Sequence, residues 1–158
     1  MKLEIDLVPR TTWYNNLRKV LPKSEWDILR KRSYAEANYE CKLCGDKGKL
    51  NCDEMWEFDD NNCIQKLKGL QAVCENCHHV KHIGFVQVQI GTGVWPESMM
   101  DDLKRHFTRV NNTTTDEFDR HIQEAFKIWS ERSKKEWKID FGDFKDLVNK
   151  NHNLKNYF

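Results

Sequence analysis

Cys74-Glu75-Asn76-Cys77-His78-His79-Val80-Lys81-His82 closes a segment that Cys41-Lys42-Leu43-Cys44-Gly45 opens, and these two stretches decide how the chain folds. Each holds a Cys-x-x-Cys pair, and 29 residues separate the pairs. That spacing predicts a four-thiolate zinc site at Cys41, Cys44, Cys74 and Cys77. A closed tetrahedral thiolate site keeps no open position, so its expected role is structural. The metal then supplies folding energy that a small two-stranded unit cannot find in apolar burial. Cys52 and Cys63 fall outside the paired spacing and are expected as buried or free thiols. His78 and His82, four residues apart, share one helix face and suit a common metal ion. His79 and His82, three apart, would suit one equally, and spacing does not choose between them.

Outward from the cysteines, Leu50 to Phe58 reads as a strand and Asp59-Asp60-Asn61-Asn62 as a turn. Ile64 to Val73 reads as a second strand broken at Gly69, and a helix follows from Cys74 to about Ile83. On the N-terminal side, alternating Leu3-Glu4-Ile5-Asp6-Leu7-Val8 predicts a short strand stopped by Pro9. Thr11 or Thr12 is placed to cap a short helix that Pro22 ends, and Ser24 to cap a second. Arg30, Lys31 and Arg32 lie on that second helix, as a solvated face or as contacts to a phosphate backbone.

On the C-terminal side, Phe85 to Ile90 alternates and reads as an edge strand. Pro96 suits the first turn of a helix carrying Met99, Leu103, Phe107 and Val110. Thr114 with Glu117 fits a capping box ahead of a helix whose Phe118, Ile122, Phe126 and Trp129 form a core or dimer face. Trp137, Ile139, Phe141, Phe144 and Leu147 suggest a last short helical segment. The expected fold class is α+β, a single domain over 1–158. A small zinc-stabilised core at 39–83 is flanked by an N-terminal strand and helices (1–38) and a C-terminal helical extension (94–158).

The 158 residues carry 26 Lys and Arg against 25 Asp and Glu, a net charge of +1, which excludes a protein that coats nucleic acid by bulk charge. No apolar run is long enough to span a bilayer and the first residues are too charged for a signal peptide, so a cytoplasmic, non-membrane location is expected. In a reducing compartment six cysteines favour metal over disulfides.

The order Cys-x-x-Cys, an acidic pair on a strand, then Leu70-Gln71-Ala72-Val73-Cys74-Glu75-Asn76-Cys77-His78-His79-Val80-Lys81-His82 resembles the HNH endonucleases, whose core is a ββα-metal unit. The resemblance covers about Tyr39 to Ile83. The framing sequences Trp13-Tyr14-Asn15-Asn16-Leu17-Arg18 and Glu131-Arg132-Ser133 look like a subfamily of HNH-like proteins from bacteria and phages. The resemblance implies metal-dependent hydrolysis of DNA phosphodiester bonds in a bacterial or phage-infected cell. It implies a catalytic divalent ion, Mg²⁺ or another, held by Asp53, His78 and His82, beside the structural zinc. The chain departs from the family twice. Glu54 stands where the family has its general-base His, and Gly69 stands where it has the Asn that helps hold that His. Glu54 is then the expected base, although its unperturbed pKa of about 4.3 makes it weaker than His at neutral pH.

The alternative expectation is an inactive zinc module that binds nucleic acid or a protein, with the C-terminal helices offering a dimer or partner face. Trp56 is expected as a core anchor, or as a platform for a base. His106 and His121 are expected as surface or packing residues, and Lys134, Lys135 and Lys138 as a solvated cluster.

Overall fold

Leu3, Ile5 and Leu7 are buried as their alternation predicts, yet Leu3 to Val8 forms no strand. Its backbone donors are taken by other parts of the chain. Leu3 N–H goes to Asn111 Oδ1 (2.9 Å), Ile5 N–H to His121 Nε2 (3.1 Å) and Asp6 N–H to the Lys81 carbonyl (2.9 Å). An extended segment whose donors are satisfied this way has no need of a ladder partner. The computed structural model describes residues 1–155, with side chains through His152.

A 3₁₀ turn at Arg10–Thr12 precedes α1 (Leu17–Val20), which Asn16 caps by accepting the Lys19 N–H, in place of Thr11 or Thr12. α2 (Lys23–Glu36) starts at Pro22 without the expected Ser24 cap, because proline already fixes the φ that the helix entry requires. Both helices lie on one side of the sheet.

The sheet begins with β1 (Leu50–Asp59) and β2 (Ile64–Cys74), an antiparallel pair in register from Leu50↔Cys74 to Asp59↔Ile64. Asp59 closes the turn by accepting the N–H groups of Asn61 and Asn62, both at 3.1 Å. Gly69 does not break β2. It pairs with Met55, and the register shifts where Trp56 meets Leu67, so Lys68 is the extra residue of a bulge. Gly69 has φ +158°, and a Cβ there would meet Met55 Cε at 3.1 Å.

α3 (Glu75–Lys81) follows β2 directly, and α4 (Ile83–Gly91) follows α3 after a break at His82 (φ −107°, ψ 44°). The edge strand expected at Phe85 to Ile90 is therefore helix. Val86 and Ile83 are fully buried and Ile90 packs against the core, whereas Phe85 and Val88 are exposed. Alternating Val and Gln over six residues does not separate the two periods, and packing against the first core chose the helix.

α5 (Ser98–Asn111) and α6 (Thr115–Arg132) pack antiparallel after a left-handed Asn112. The capping box holds, with Thr114 Oγ1 accepting the Glu117 N–H at 3.2 Å. Phe118, Ile122, Phe126 and Trp129 pack on the core.

The last segment begins as β3 (Lys138–Asp140), parallel to the start of β2, and not as helix. Lys138 N–H reaches the Cys63 carbonyl at 2.9 Å, and Trp137 stacks edge-on against Phe58 at 5.7 Å. Gly142 (φ +55°) then turns the chain so close to β2 that a Cβ would sit 2.5 Å from the Leu67 carbonyl oxygen. α7 (Lys145–Lys155) ends the described chain. The three-stranded sheet, in order β1-β2-β3, thus separates two cores. One, beside α3, contains Cys41, Cys77, Val80 and Phe107; the other, beside α2 and α7, contains Leu17, Trp26 and Leu67. Among the described residues no helix is long and apolar enough to cross a membrane.

Candidate metal centres

Four sulfurs meet where β2 passes into α3. Cys74 is the N-cap of α3 and its Sγ accepts the Cys77 N–H at 3.4 Å, which turns Cys77 back beside it. The first pair is brought up by the Lys42 N–H, which bonds the Ala72 carbonyl at 2.9 Å, and is folded tightly by Gly45 N–H to Cys41 O at 2.9 Å. The ligand atoms of Cys41, Cys44, Cys74 and Cys77 all lie within 4.8 Å of one another.

Cys44 Sγ and Cys74 Sγ are 3.6 Å apart. A tetrahedron with Zn–S bonds of about 2.3 Å has edges of about 3.8 Å, so the Cys44–Cys74 separation suits a tetrahedral thiolate site. The thiols also cannot all ionise beside each other unaided. Hydrogen bonds with Cys74 and Cys77 hold Cys41 far below the thiol range, bonds with Cys41 and Cys74 push Cys77 far above it, and burial raises Cys44 to about 12. A cation among them removes that conflict.

The second cluster shares α3 with the first, His78 following Cys77 directly. Asp53 on β1 and His78 and His82 on α3 and its end place their ligand atoms within 4.8 Å of one another. Asp53 is 1% exposed. Its Oδ1 is 3.1 Å from His82 Nε2, and its Oδ2 accepts from Gln71 Nε2 at 2.9 Å and lies 3.4 Å from Lys81 Nζ. Although burial alone would raise the Asp53 carboxyl, the His82 and Lys81 neighbours win and hold it below its ordinary value. His78 and His82 stack edge-on with centroids 4.7 Å apart, and burial lowers His78 to about 4, leaving a neutral ring with a lone pair to give. Neighbouring ligands of an octahedral ion with bonds of about 2.1 Å stand about 3 Å apart, so the Asp53–His82 separation suits a hard divalent cation.

The geometry separates His78 from His79, which spacing did not. His79 turns the other way, against Trp95 at 5.0 Å. Comparison with known proteins finds no matching family model, no matching curated protein and no matching solved structure.

Glu54 stands outside the Asp53 cluster. Successive strand residues face opposite ways, and Cys52, two before it, packs in the core beside α2. Glu54 Oε1 accepts the Leu17 N–H at 2.6 Å, at the start of α1. Burial raises its carboxyl to about 7. Trp56 packs with Phe141 in that same second core (6.2 Å), as an anchor. Cys52 and Cys63 are free, and burial raises the Cys52 thiol to about 11. Lys134 pairs with Glu131 and Arg30 with Asp27, both near the surface.

Three further residues belong to these centres, two of which, Lys81 and Asp6, sequence reasoning passed over. Lys81, nearly buried, brings a fixed cation to Asp53. Asp6, tied through its backbone to Lys81, has its carboxyl raised by burial and by Asp53 while Lys81 and His82 oppose the shift. His106 on α5, expected at the surface or in packing, is packed: it is 6% exposed, with Nε2 3.1 Å from Cys77 Sγ. Lys81 and His106 carried no signal beyond residue type. Asp6 did, as a carboxylate between two buried apolar residues of an alternating run.

Proposed function

We propose that the chain is a metal-dependent endonuclease of the HNH type, hydrolysing DNA phosphodiester bonds, with a structural zinc in the cysteine cluster and a ββα-metal core formed by β1, β2 and α3. The observation that supports it is the convergence of a buried strand carboxylate, Asp53, with two helix imidazoles, His78 and His82, directly beside a four-thiolate clamp. A divalent ion such as Mg²⁺ held there would polarise the scissile phosphate and stabilise the leaving oxygen.

The chain's own residues do the rest. Gln71 and Lys81 hold the Asp53 carboxylate in place. A general base must then take a proton from the attacking water. Glu54 occupies the family's base position and, at about 7, has the poise that task needs at neutral pH. Strand alternation turns Glu54 away from the Asp53 cluster, so Asp6 is a second candidate: its carboxyl feels the charges of Asp53, Lys81 and His82, and among the described residues it makes no side-chain hydrogen bond. The Leu17 N–H already engages Glu54, which favours Asp6 geometrically.

Plasmid cleavage with Mg²⁺, Mn²⁺ or Ni²⁺ tests the proposal. Asp53→Ala, His78→Ala and His82→Ala should each abolish cutting. Of Glu54→Gln and Asp6→Asn, the one that removes the base should slow it by about 10²–10⁴-fold. Absence of cutting with every metal, or cutting that survives all three ligand variants, overturns it. One observation favours a second reading, an inactive zinc module that binds nucleic acid or protein. Asp53 is already fully engaged by His82, Lys81 and Gln71, as a structural carboxylate would be. Equilibrium dialysis separates the two, since this reading allows one metal ion per chain and the nuclease requires two.

A further inference from the structure

His106 Nε2 lies 3.1 Å from Cys77 Sγ and 4.0 Å from Cys74 Sγ, and its Nδ1 lies 3.2 Å from Arg109 Nη2. These contacts fix the direction of every proton. Arginine has donors only, so Arg109 must donate and His106 Nδ1 must accept. In a neutral imidazole the proton is then on Nε2, and that N–H points at the Cys77 sulfur.

The chain of contacts continues past Arg109. The same Nη2 is 3.1 Å from Asp46 Oδ2, and the Asp46 carbonyl accepts the Cys41 N–H at 3.0 Å. Two neighbours one turn apart on α5 therefore bridge the first cysteine pair, through Asp46, to the second, through Cys77. Neither belongs to the segment that carries the four cysteines.

We propose that His106 is a positioning residue of the thiolate centre: its Nε2–H donates to the Cys77 thiolate, in the tautomer that Arg109 enforces, and thereby sets how tightly the centre holds zinc. This role rests on the reading of the cysteine cluster as a metal site. Four thiolates around one Zn²⁺ leave two excess negative charges, and Cys77, fully buried, has no water to spread its share. A donated N–H withdraws charge from the sulfur, opposes its protonation and keeps its lone pair aimed at the metal. Partners of this kind typically change metal affinity by about 10–100-fold when removed. The Asp46–Arg109 pair is half-exposed, so its contribution is orientation more than energy. The consequence is that docking of α5 and retention of the metal are linked, although α5 supplies no ligand.

The test uses the full chain with Co²⁺ in place of zinc, then zinc transfer to a chromogenic chelator. The parent should take up one Co²⁺ with the charge-transfer bands of four thiolates; a parent that binds none overturns the metal site and this role with it. His106→Leu should keep the four-thiolate spectrum but lose zinc about 10–100-fold faster. His106→Gln, whose amide can present an N–H near the same place, should recover most of that loss. Arg109→Met should fall between parent and His106→Leu, and should add little to it in the double variant. Release unchanged within twofold in a folded His106→Leu protein overturns the proposal. So does a parent spectrum of three thiolates and one imidazole, which would make His106 a ligand. A variant equally impaired as Gln and as Leu would show a packing role and overturn it too.

Discussion

The two centres share α3, where His78 follows Cys77, but they stand in opposite electrostatic states. The cysteine cluster gathers four acids against a single neighbouring imidazole, that of His106, and its pKa values are driven apart. The Asp53 cluster gathers an acid with Lys81, His82 and Gln71, which already satisfy it. The first is incomplete without a cation. The second is complete and must be reopened for one. On the proposed reading, metal at the first would decide whether this part of the chain folds, and metal at the second would have to compete with the protein's own ammonium group.

The largest test of that contrast removes a thiolate. Cys44→Ser should lose the zinc and with it the cooperative thermal transition, followed by circular dichroism. Structural zinc sites contribute about 10–16 kcal/mol in isolated peptides, which exceeds the about 5–15 kcal/mol that holds an ordinary domain together. Next in size is Asp53→Ala, which should retain zinc but destabilise by about 3–5 kcal/mol in urea, because Lys81 is left buried without its partner. Lys81→Met sharpens the same point from the other side. Freed of its competitor, the Asp53 cluster should bind Mn²⁺ more tightly in calorimetry; weaker binding would mean that Lys81 shapes the site instead of opposing the ion.

Glu54 gives a smaller, pH-dependent effect. Its folded pKa, about 7, lies above its ordinary 4.5, so folding favours the protonated acid. The stability this contributes is present in full below pH 4.5 and is lost as the pH rises through 7. In Mg²⁺-free buffer Glu54→Gln, which can still accept the Leu17 N–H, should match the parent at pH 4.5 and exceed it at pH 8 by about 2–3 kcal/mol. The smallest effect separates the neighbouring imidazoles. His79→Ala should lower stability by no more than about 1 kcal/mol through its lost contact with Trp95 and leave Mn²⁺ affinity intact, whereas His78→Ala should abolish that affinity.

Sequence alone determined the cysteine cluster, the hairpin between its pairs and the capped helix at Thr114, and it left His78 and His79 as equal candidates beside His82. All of these rest on short-range spacing, a turn of helix or a two-residue strand period, which the residues carry in themselves. Tertiary structure decided everything that depended on what the far end of the chain supplied. Phe85 to Ile90 became helix because the first core was there to bury Val86 and Ile90, and Lys138 to Asp140 became a strand because the edge of β2 was open to it. Leu3 to Val8 stayed outside the sheet because Asn111, His121 and Lys81 took its donors. Glu54 follows Asp53 in the chain, yet strand alternation sends the two carboxylates to opposite sides of the sheet. Only the packing of α5 brings His106, 29 residues from Cys77, to within 3.1 Å of its sulfur. Contacts of that span have no local period to announce them.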